Sequence, residues 1–323
     1  KWQVMPLTYC KEFIMSQQKY VGVWPVMLTP FDTKGEIDWA SLERLVDWYI
    51  DAGVHGLFAA CQSSEMFYLS DEETQALTRF IVEKADGRVP VVASGHTATA
   101  LSQQKEQLQA MASTGVDGVI MISNRLAQVG ESDDKALETL QSLTHAVPKE
   151  IDLGIYECPY PYKRLLSEEI VEWCAQSNRF TFIKDTCCSL PLIERRLALS
   201  KGSRLHLANA NSQTLLASFQ AGCQAYSGVM ANFHPELYVW LYENWQDKPE
   251  QAALLADYLS TAAMTETLDY PACAKYHQRL IGNFATLVCR SRNSSQFENS
   301  FFPSAVNSMT ALGENMKKWL SLN

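Results

Sequence analysis

The sequence predicts an α/β protein, namely a (β/α)8 TIM barrel with a C-terminal helical extension. Eight short apolar runs alternate with amphipathic stretches, which is the pattern of repeated β-α units around a parallel sheet. The runs start roughly every 30 residues, the size of one βαβ step. An open, doubly wound sheet would give a similar pattern, but no G-x-G-x-x-G motif follows the first run. The closed barrel is therefore the favoured fold class.

The apolar runs are the predicted strands, and predicted helices lie between them. The strands cover residues 21–28, 54–60, 89–93, 116–122, 151–156, 179–184, 204–208 and 225–229. The helices cover residues 39–52, 71–85, 102–114, 133–146, 167–176, 190–201 and 212–221. Ser70 and Ser167 precede acidic residues as helix caps, and Gly53, Gly115 and Gly222 follow helix ends.

The predicted barrel spans residues 20–234, and the rest of the chain flanks it. Residues 235–323 show only helical patterns, at 236–245, 250–268, 271–284 and 304–322, with a polar linker at 293–299. We expect this segment to be an appendage of the barrel rather than an independent domain. Residues 1–19 show no clear period, and Met15 would serve as an initiator, so we expect a leader outside the fold.

Composition restricts the partners of the protein. The 323 residues are 47% hydrophobic and 20% charged, as in soluble globular proteins with a large core. The formal net charge of −9 argues against a nucleic-acid partner, which would require a basic surface. No apolar run approaches the roughly 20 residues that cross a bilayer, and no signal-peptide pattern is present. We expect a cytoplasmic protein with neither a membrane nor a nucleic-acid partner.

Cysteine and histidine spacing predicts no metal site. The chain has nine cysteines, of which Cys187 and Cys188 are adjacent, but it contains no C-x-x-C motif. Its six histidines include no H-E-x-x-H or H-x-x-x-H pair.

Lys184 is the first candidate for chemistry, because it ends the sixth run and catalytic groups of barrels lie at the carboxyl ends of strands. The two-residue period of a strand places it on the face of Phe180 and Phe182. Burial there would lower its pKa and supply the neutral amine that attacks a carbonyl. A structural lysine paired with Asp185 is an equally good interpretation of this position.

Tyr156 ends the fifth run and therefore lies beside Lys184 in a barrel whose consecutive strands are neighbours. A phenol next to an amine can carry the protons of carbinolamine formation and C–C cleavage. Tyrosines at strand ends more often only pack, with the hydroxyl bonded to a neighbour.

A polar turn, CQSSE at residues 61–65, follows the second run. Gln62, Ser63 and Ser64 offer a neutral cradle for a carboxylate, although serines here could equally be turn formers. Glu65 would anchor the turn or act chemically.

Four segments together resemble the dihydrodipicolinate synthase and N-acetylneuraminate lyase superfamily: VWPVMLTPFD at 23–32, CQSSE at 61–65, YECP at 156–159 and FIKD at 182–185. The resemblance runs from residue 20 to 232. It implies a class I aldolase or lyase in which Lys184 forms an imine with pyruvate or a related 2-oxo acid, Tyr156 relays protons and no cofactor is needed. The second substrate would be an aldehyde, with a 2-keto-3-deoxy sugar acid as one candidate for the joined compound.

The resemblance also implies individual site residues and an assembly. Ser63 takes a hydroxyl position of the carboxylate-binding loop, flanked by Gln62 and Ser64. Gly228 and Asn232 match a segment that approaches the substrate with its backbone. Members of the family are commonly homotetramers, so a dimer or tetramer is expected.

Departures from the synthase pattern identify a divergent member. Gln62 replaces a hydroxyl of the proton relay, and Ser64 replaces a glycine. Ser123 stands near the aromatic that the synthase lends to its dimer partner, and Pro161 near the arginine for the second substrate. The condensation of the lysine pathway is therefore disfavoured.

Several further polar residues follow strand ends and are candidate substrate contacts. They are Glu157, His96 and Arg164, and with less support Lys163 and Arg125. For the three cations, a solvated position on the surface is the simpler interpretation. For His96, the simpler interpretation is a hydrogen-bonded position in a loop.

An alternative function is a non-catalytic barrel that binds a 2-oxo acid or a sugar acid. A phosphate-dependent isomerase has little support, because the loops after strands seven and eight are not glycine-rich.

Overall fold

The computed structural model describes residues 19–322. The predicted leader lies outside the described residues except for Lys19, whose amine lies 2.9 Å from the Asp117 carboxylate.

Eight parallel strands form one sheet. They are β1 (Gly22–Val23), β2 (Leu57–Phe58), β3 (Val91–Ala93), β4 (Gly118–Ile122), β5 (Asp152–Tyr156), β6 (Phe180–Asp185), β7 (His206–Asn209) and β8 (Ala225–Tyr226). The hydrogen-bonded order is β1-β8-β7-β6-β5-β4-β3-β2. An isolated parallel bridge between Val26 and Phe58 joins the segment after β1 to β2 and closes the ring. The predicted (β/α)8 barrel is confirmed.

Helices alternate with the strands and cover the outside of the sheet. They are α1 (Trp39–Asp51), α2 (Asp71–Ala85), α3 (Leu101–Ala112), α4 (Asp133–Thr144), α5 (Glu168–Gln176), α6 (Leu190–Ser200), α7 (Leu215–Gln220) and α8 (Pro235–Asn244). Helix α8 packs against β1. The outer layer therefore takes its eighth helix from the segment that the sequence analysis assigned to the appendage.

Most predicted element bounds agree within a few residues, and the disagreements have local causes. Residues 71–85 form α2 as predicted, because Ser70 and Glu73 cap each other's backbone N–H groups. Helix α7 begins three residues later than predicted, since the Asn211 carboxamide accepts bonds from Thr214 and holds a turn there. Strand β1 is far shorter than the predicted run 21–28, although residues 22–30 are buried; burial, not strand pairing, made this run apolar.

The interior of the barrel is filled by its own apolar cluster, in which Trp24 and Phe182 pack with ring centres 5.5 Å apart. Phe180 is not part of it. The pairing of β5 with β6 shifts register between Leu153 and Gly154, and this irregularity turns Phe180 outward onto Trp173. The prediction that Phe180 shares a face with Lys184 is therefore wrong, whereas Phe182 does lie inside.

The C-terminal segment continues with α9 (Pro249–Ala262), α10 (Ala272–Leu280) and α11 (Phe302–Trp319), and with 3-10 helices Ala263–Thr267 and Ser294–Asn299. The last of these contradicts the predicted polar linker, because Phe297 is 1% exposed and anchors it in the core. A buried ion pair between Lys275 and Glu65 ties α10 to the barrel.

Candidate active site

Lys184 and Tyr156 lie directly opposite each other on β6 and β5. The Lys184 amine is 4.3 Å from the centre of the Tyr156 ring and 5.6 Å from that of Phe58. Lys184 is only 3% exposed, and burial lowers its pKa to about 8. Asp185 cannot pair with this amine, since it faces outward and binds Arg196.

A cavity of about 380 Å³ opens above Lys184 at the carboxyl end of the barrel. Its polar lining includes Tyr156, Lys163, Thr186, Asn211, Glu266 and Tyr270. Burial raises the pKa of Tyr156 well above its usual value, so this phenol keeps its proton. The cavity is thus lined by an amine that can be neutral and by a phenol that can donate a proton.

Ser63, in the turn at residues 61–65, is linked to the cavity through Tyr270, which lines it. Its Oγ accepts a hydrogen bond from the Tyr270 hydroxyl at 2.8 Å, which leaves the serine proton free to donate. Gln62 lines a second cavity of about 170 Å³ together with Tyr160 and Arg292, and its Oε1 lies 3.5 Å from Cys158 Sγ. Tyr270 lines both cavities.

Ser64 and Glu65 have structural roles in the same turn. Ser64 Oγ bonds both the N–H and the carbonyl of Cys61, so its hydroxyl is not a substrate contact as predicted. Glu65 binds Lys275 and accepts from the Arg290 and Ser291 N–H groups at 2.7 and 2.6 Å. It therefore anchors the turn to the C-terminal segment.

Glu157 faces away from the cavity, which corrects its prediction as a substrate contact. It follows Tyr156 and so points to the opposite side of the chain, where it pairs with the buried Arg196. Its oxygens also accept from the Leu166 and Thr186 N–H groups, both at 2.8 Å. Arg196 bridges Glu157 and Asp185, and all three side chains are at most 1% exposed.

His96 and Arg164 also lie outside the cavity, contrary to their prediction as contacts. His96 Nε2 accepts from the Ile122 N–H at 2.6 Å and its Nδ1 lies 3.1 Å from Gln104, while burial lowers its pKa to about 4. Arg164 donates to the Asp133 carboxylate and the Ser132 carbonyl at the start of α4.

Of the two less supported cations, only Lys163 lines the cavity. Arg125 is fixed on the carbonyl of Thr97 at 2.8 Å, away from the cavity. Lys163 does line the cavity, and its amine donates to the Thr186 carbonyl.

Gly228, the substrate contact predicted after β8, packs against its neighbours and does not itself line the cavity. At Gly228 a Cβ would lie 2.5 Å from the Ala210 carbonyl oxygen, so packing requires glycine. The next residue, Val229, lines the cavity. Asn232 is structural: its amide donates to the Val26 carbonyl and, at 3.1 Å, to the Tyr270 hydroxyl.

Tyr270 and Glu266 were missed by the sequence analysis. Both belong to the C-terminal segment: Glu266 lies on the 3-10 helix Ala263–Thr267, and Tyr270 follows this helix. Residue 266 fell inside a predicted helix, and no local pattern distinguishes it from other acids on helix surfaces. Only the packing of this segment across the barrel mouth brings these two side chains to Lys184.

Within residues 19–322, no group of three or more His, Cys, Asp or Glu side chains is placed to hold a metal ion. In the same part of the chain no helix is both long and apolar enough to span a membrane.

One family model and several known proteins are similar to this chain. The model of the dihydrodipicolinate synthetase family matches residues 19–291. The 4-hydroxy-tetrahydrodipicolinate synthase of Sorangium cellulosum is 31% identical over 223 residues, which cover 68% of this chain and 72% of that protein. YagE of Escherichia coli, provisionally named a 2-dehydro-3-deoxy-D-gluconate aldolase, is 27% identical over 71% of this chain and 75% of its own.

Two further matches extend this picture. The crystal structure of YagE in complex with pyruvate has the same fold, with a TM-score of 0.80 and 23% identity over 92% of this chain and 99% of that one. The L-2-keto-3-deoxyarabonate dehydratase of Azospirillum brasilense is 46% identical over 77 residues, 24% of this chain and 25% of that protein.

Proposed function

The chain belongs to the dihydrodipicolinate synthetase family and is a lyase, and on that premise we propose that it is a class I aldolase acting through an imine on Lys184. Its substrate is pyruvate or a related 2-oxo acid, joined to or released from an aldehyde. The observation that carries the proposal is the buried Lys184 amine, with its pKa lowered to about 8, directly opposite Tyr156. At pH 7 about a tenth of such an amine is neutral.

The first half of the reaction follows from this arrangement. The neutral amine attacks the ketone carbon, and a carbinolamine forms and loses water to give the imine. Tyr156 lines the same cavity and donates the proton with which water leaves, so the imine stays protonated. The 2-oxo acid carboxylate binds at Ser63, which can donate its proton because Tyr270 already donates to its oxygen.

The second half breaks or makes a C–C bond. A protonated imine accepts the electron pair of the bond between C3 and C4, so the aldehyde leaves and an enamine remains. Tyr156 is left as a phenolate when its proton leaves with the water of imine formation, so it takes the C4 hydroxyl proton in cleavage and returns it in condensation. No cofactor is required. A 2-keto-3-deoxy sugar acid is the proposed joined compound, and this choice is supported by the names of YagE and the arabonate dehydratase.

Trapping the imine tests the proposal. Incubation with pyruvate and sodium borohydride should attach a reduced pyruvyl group to the peptide that contains Lys184, detected by mass mapping. Lys184→Ala should abolish the adduct, whereas Lys163→Ala, which removes the other lysine of the cavity, should keep it. No adduct with pyruvate or with several other 2-oxo acids would refute the proposal. Thermal stabilisation by pyruvate that survives Lys184→Ala would instead favour a non-covalent binding protein.

The number of subunits stays a prediction. A homodimer or homotetramer is expected, and sedimentation velocity of the purified protein measures it.

A further inference from the structure

We propose that Glu266 makes the enzyme select an uncharged, hydroxylated aldehyde over an aldehyde that carries a second carboxylate. The inference rests on the proposed function and deepens it, because it assigns the substrate class at the end of the cavity away from the imine.

Glu266 is placed for this role by the C-terminal segment. It lies on the 3-10 helix between α9 and α10 and lines the cavity above Lys184. Among residues 19–322 its carboxylate forms no hydrogen bond or ion pair, and Lys184 acts on it only through its charge. Both oxygens are therefore free to accept bonds from a bound molecule.

The charges of the cavity decide what that molecule can be. Three charged side chains line it: Lys184, Lys163 and Glu266. Lys184 is consumed by the imine, whose positive charge faces the carboxylate of the 2-oxo acid. Lys163 already donates to the Thr186 carbonyl. With Lys184 in the imine, Glu266 is the charged cavity-lining side chain that has no hydrogen bond or ion pair within residues 19–322. Burial raises its pKa, and the positive charge at Lys184 acts in the opposite direction and favours its carboxylate form.

The other lining residues carry no charge: Thr186, Thr267 and Asn211 offer polar side chains, and Pro159 and Val229 are apolar. Hydroxyl groups can donate to a carboxylate, and hydrogen bonds to a charged group are stronger than neutral ones. A carboxylate at the same place would meet a like charge in a partly desolvated cavity, which is unfavourable. The outer cavity therefore fits a polyhydroxylated chain end.

Glu266→Gln separates charge from shape, since glutamine keeps the side-chain volume and one acceptor oxygen. The matched control is Glu250→Gln, the same change at an exposed position of α9. Each protein is assayed for condensation of pyruvate with D-glyceraldehyde, which is neutral, and with succinic semialdehyde, which is anionic. The parent protein should prefer glyceraldehyde in kcat/KM.

Glu266→Gln should lower the kcat/KM ratio of glyceraldehyde to succinic semialdehyde by about tenfold or more, the size expected for one charge-assisted hydrogen bond. Glu250→Gln should leave the ratio unchanged. The borohydride-trapped pyruvate adduct should still reach completion in all three proteins, because loss of the Glu266 charge, which raises the pKa of Lys184, leaves that amine at least as often neutral.

A ratio that stays the same in Glu266→Gln, with the adduct intact, would overturn the inference while leaving the proposed function standing. A parent protein that prefers succinic semialdehyde would overturn it as well. Absence of the adduct from the parent protein would instead refute the proposed function, and the inference with it.

Discussion

Lys184 and Tyr156 occupy paired positions on neighbouring parallel strands, with the amine 4.3 Å from the centre of the phenol ring. Each is the inward-facing residue at the end of its strand, and each is flanked by an acid that points outward, Asp185 and Glu157. Arg196 binds both acids from behind. The reactive pair therefore lies on the inner side of these two strand ends, and the buried ionic cluster lies on their outer side.

We expect imine formation to depend on pH through the amine of Lys184. The lowered pKa of Lys184, about 8, means that the neutral fraction rises with pH and is half complete near pH 8. The rate of borohydride trapping with pyruvate should therefore rise about tenfold from pH 7 to pH 9. Single-turnover trapping across this range measures it. A midpoint near 10.5 would show an ordinary, solvated lysine.

Tyr156→Phe should slow turnover by roughly 10²- to 10⁴-fold, the range for loss of a proton-transfer group, while imine trapping still reaches completion on long incubation. Aldol cleavage and adduct yield are measured side by side. Tyr276→Phe provides the control, since it removes a hydroxyl that bonds Asn307 outside the site. Equal losses in the two variants would argue against a special role for Tyr156.

Tyr270→Phe should weaken pyruvate binding several-fold, because Ser63 loses the donor that orients its hydroxyl and a hydrogen bond contributes about 1 kcal/mol. Ser63→Ala should weaken it similarly. If the two side chains act together, the double variant binds no more weakly than the worse single one, and a double-mutant cycle of pyruvate Kd values shows it. Fully additive losses would mean that they act independently.

Arg196→Met should lower the free energy of unfolding by about 3–5 kcal/mol, because it leaves Glu157 and Asp185 buried without their counter-charge. The neighbouring Arg195 provides the control. It pairs with Glu168 at the surface, so Arg195→Met should change stability far less. Urea unfolding of the two variants makes the comparison, and similar losses in both would contradict it.

Buried histidines predict a loss of stability in acid. Burial lowers the pKa of His96 and of His277 to about 4, whereas the unfolded chain takes up a proton near pH 6.5. The contribution of these two neutral histidines to the free energy of unfolding is present above pH 6.5 and is lost as the pH drops towards 4. The loss at pH 5 is about 2 kcal/mol for each histidine.

His277→Gln should therefore flatten the dependence of unfolding free energy between pH 7 and pH 5. His145→Gln, at an exposed position, should not. A slope unchanged in His277→Gln would show that other groups cause the acid sensitivity.

The sequence by itself determined the eight-fold β-α order, because alternating burial repeats along the chain and some helices begin with a capping serine, as at Ser70 and Ser167. It also placed Lys184 and Tyr156 side by side, since consecutive strands of a barrel are neighbours. Both features depend on local periodicity and chain order, which a single sequence displays directly. The bounds of most helices followed for the same reason.

Only the tertiary structure decided which polar residues face the cavity. Glu157, His96 and Arg164 stand next to strand ends in the sequence, yet each binds a partner on the outer side of the sheet or in a neighbouring loop. Tyr270 and Glu266 enter the site from a segment far along the chain, through contacts that no local pattern encodes. The direction of one strand residue and the path of a distant helix depend on packing of the whole core, and that packing sets the chemistry of the cavity beyond the imine.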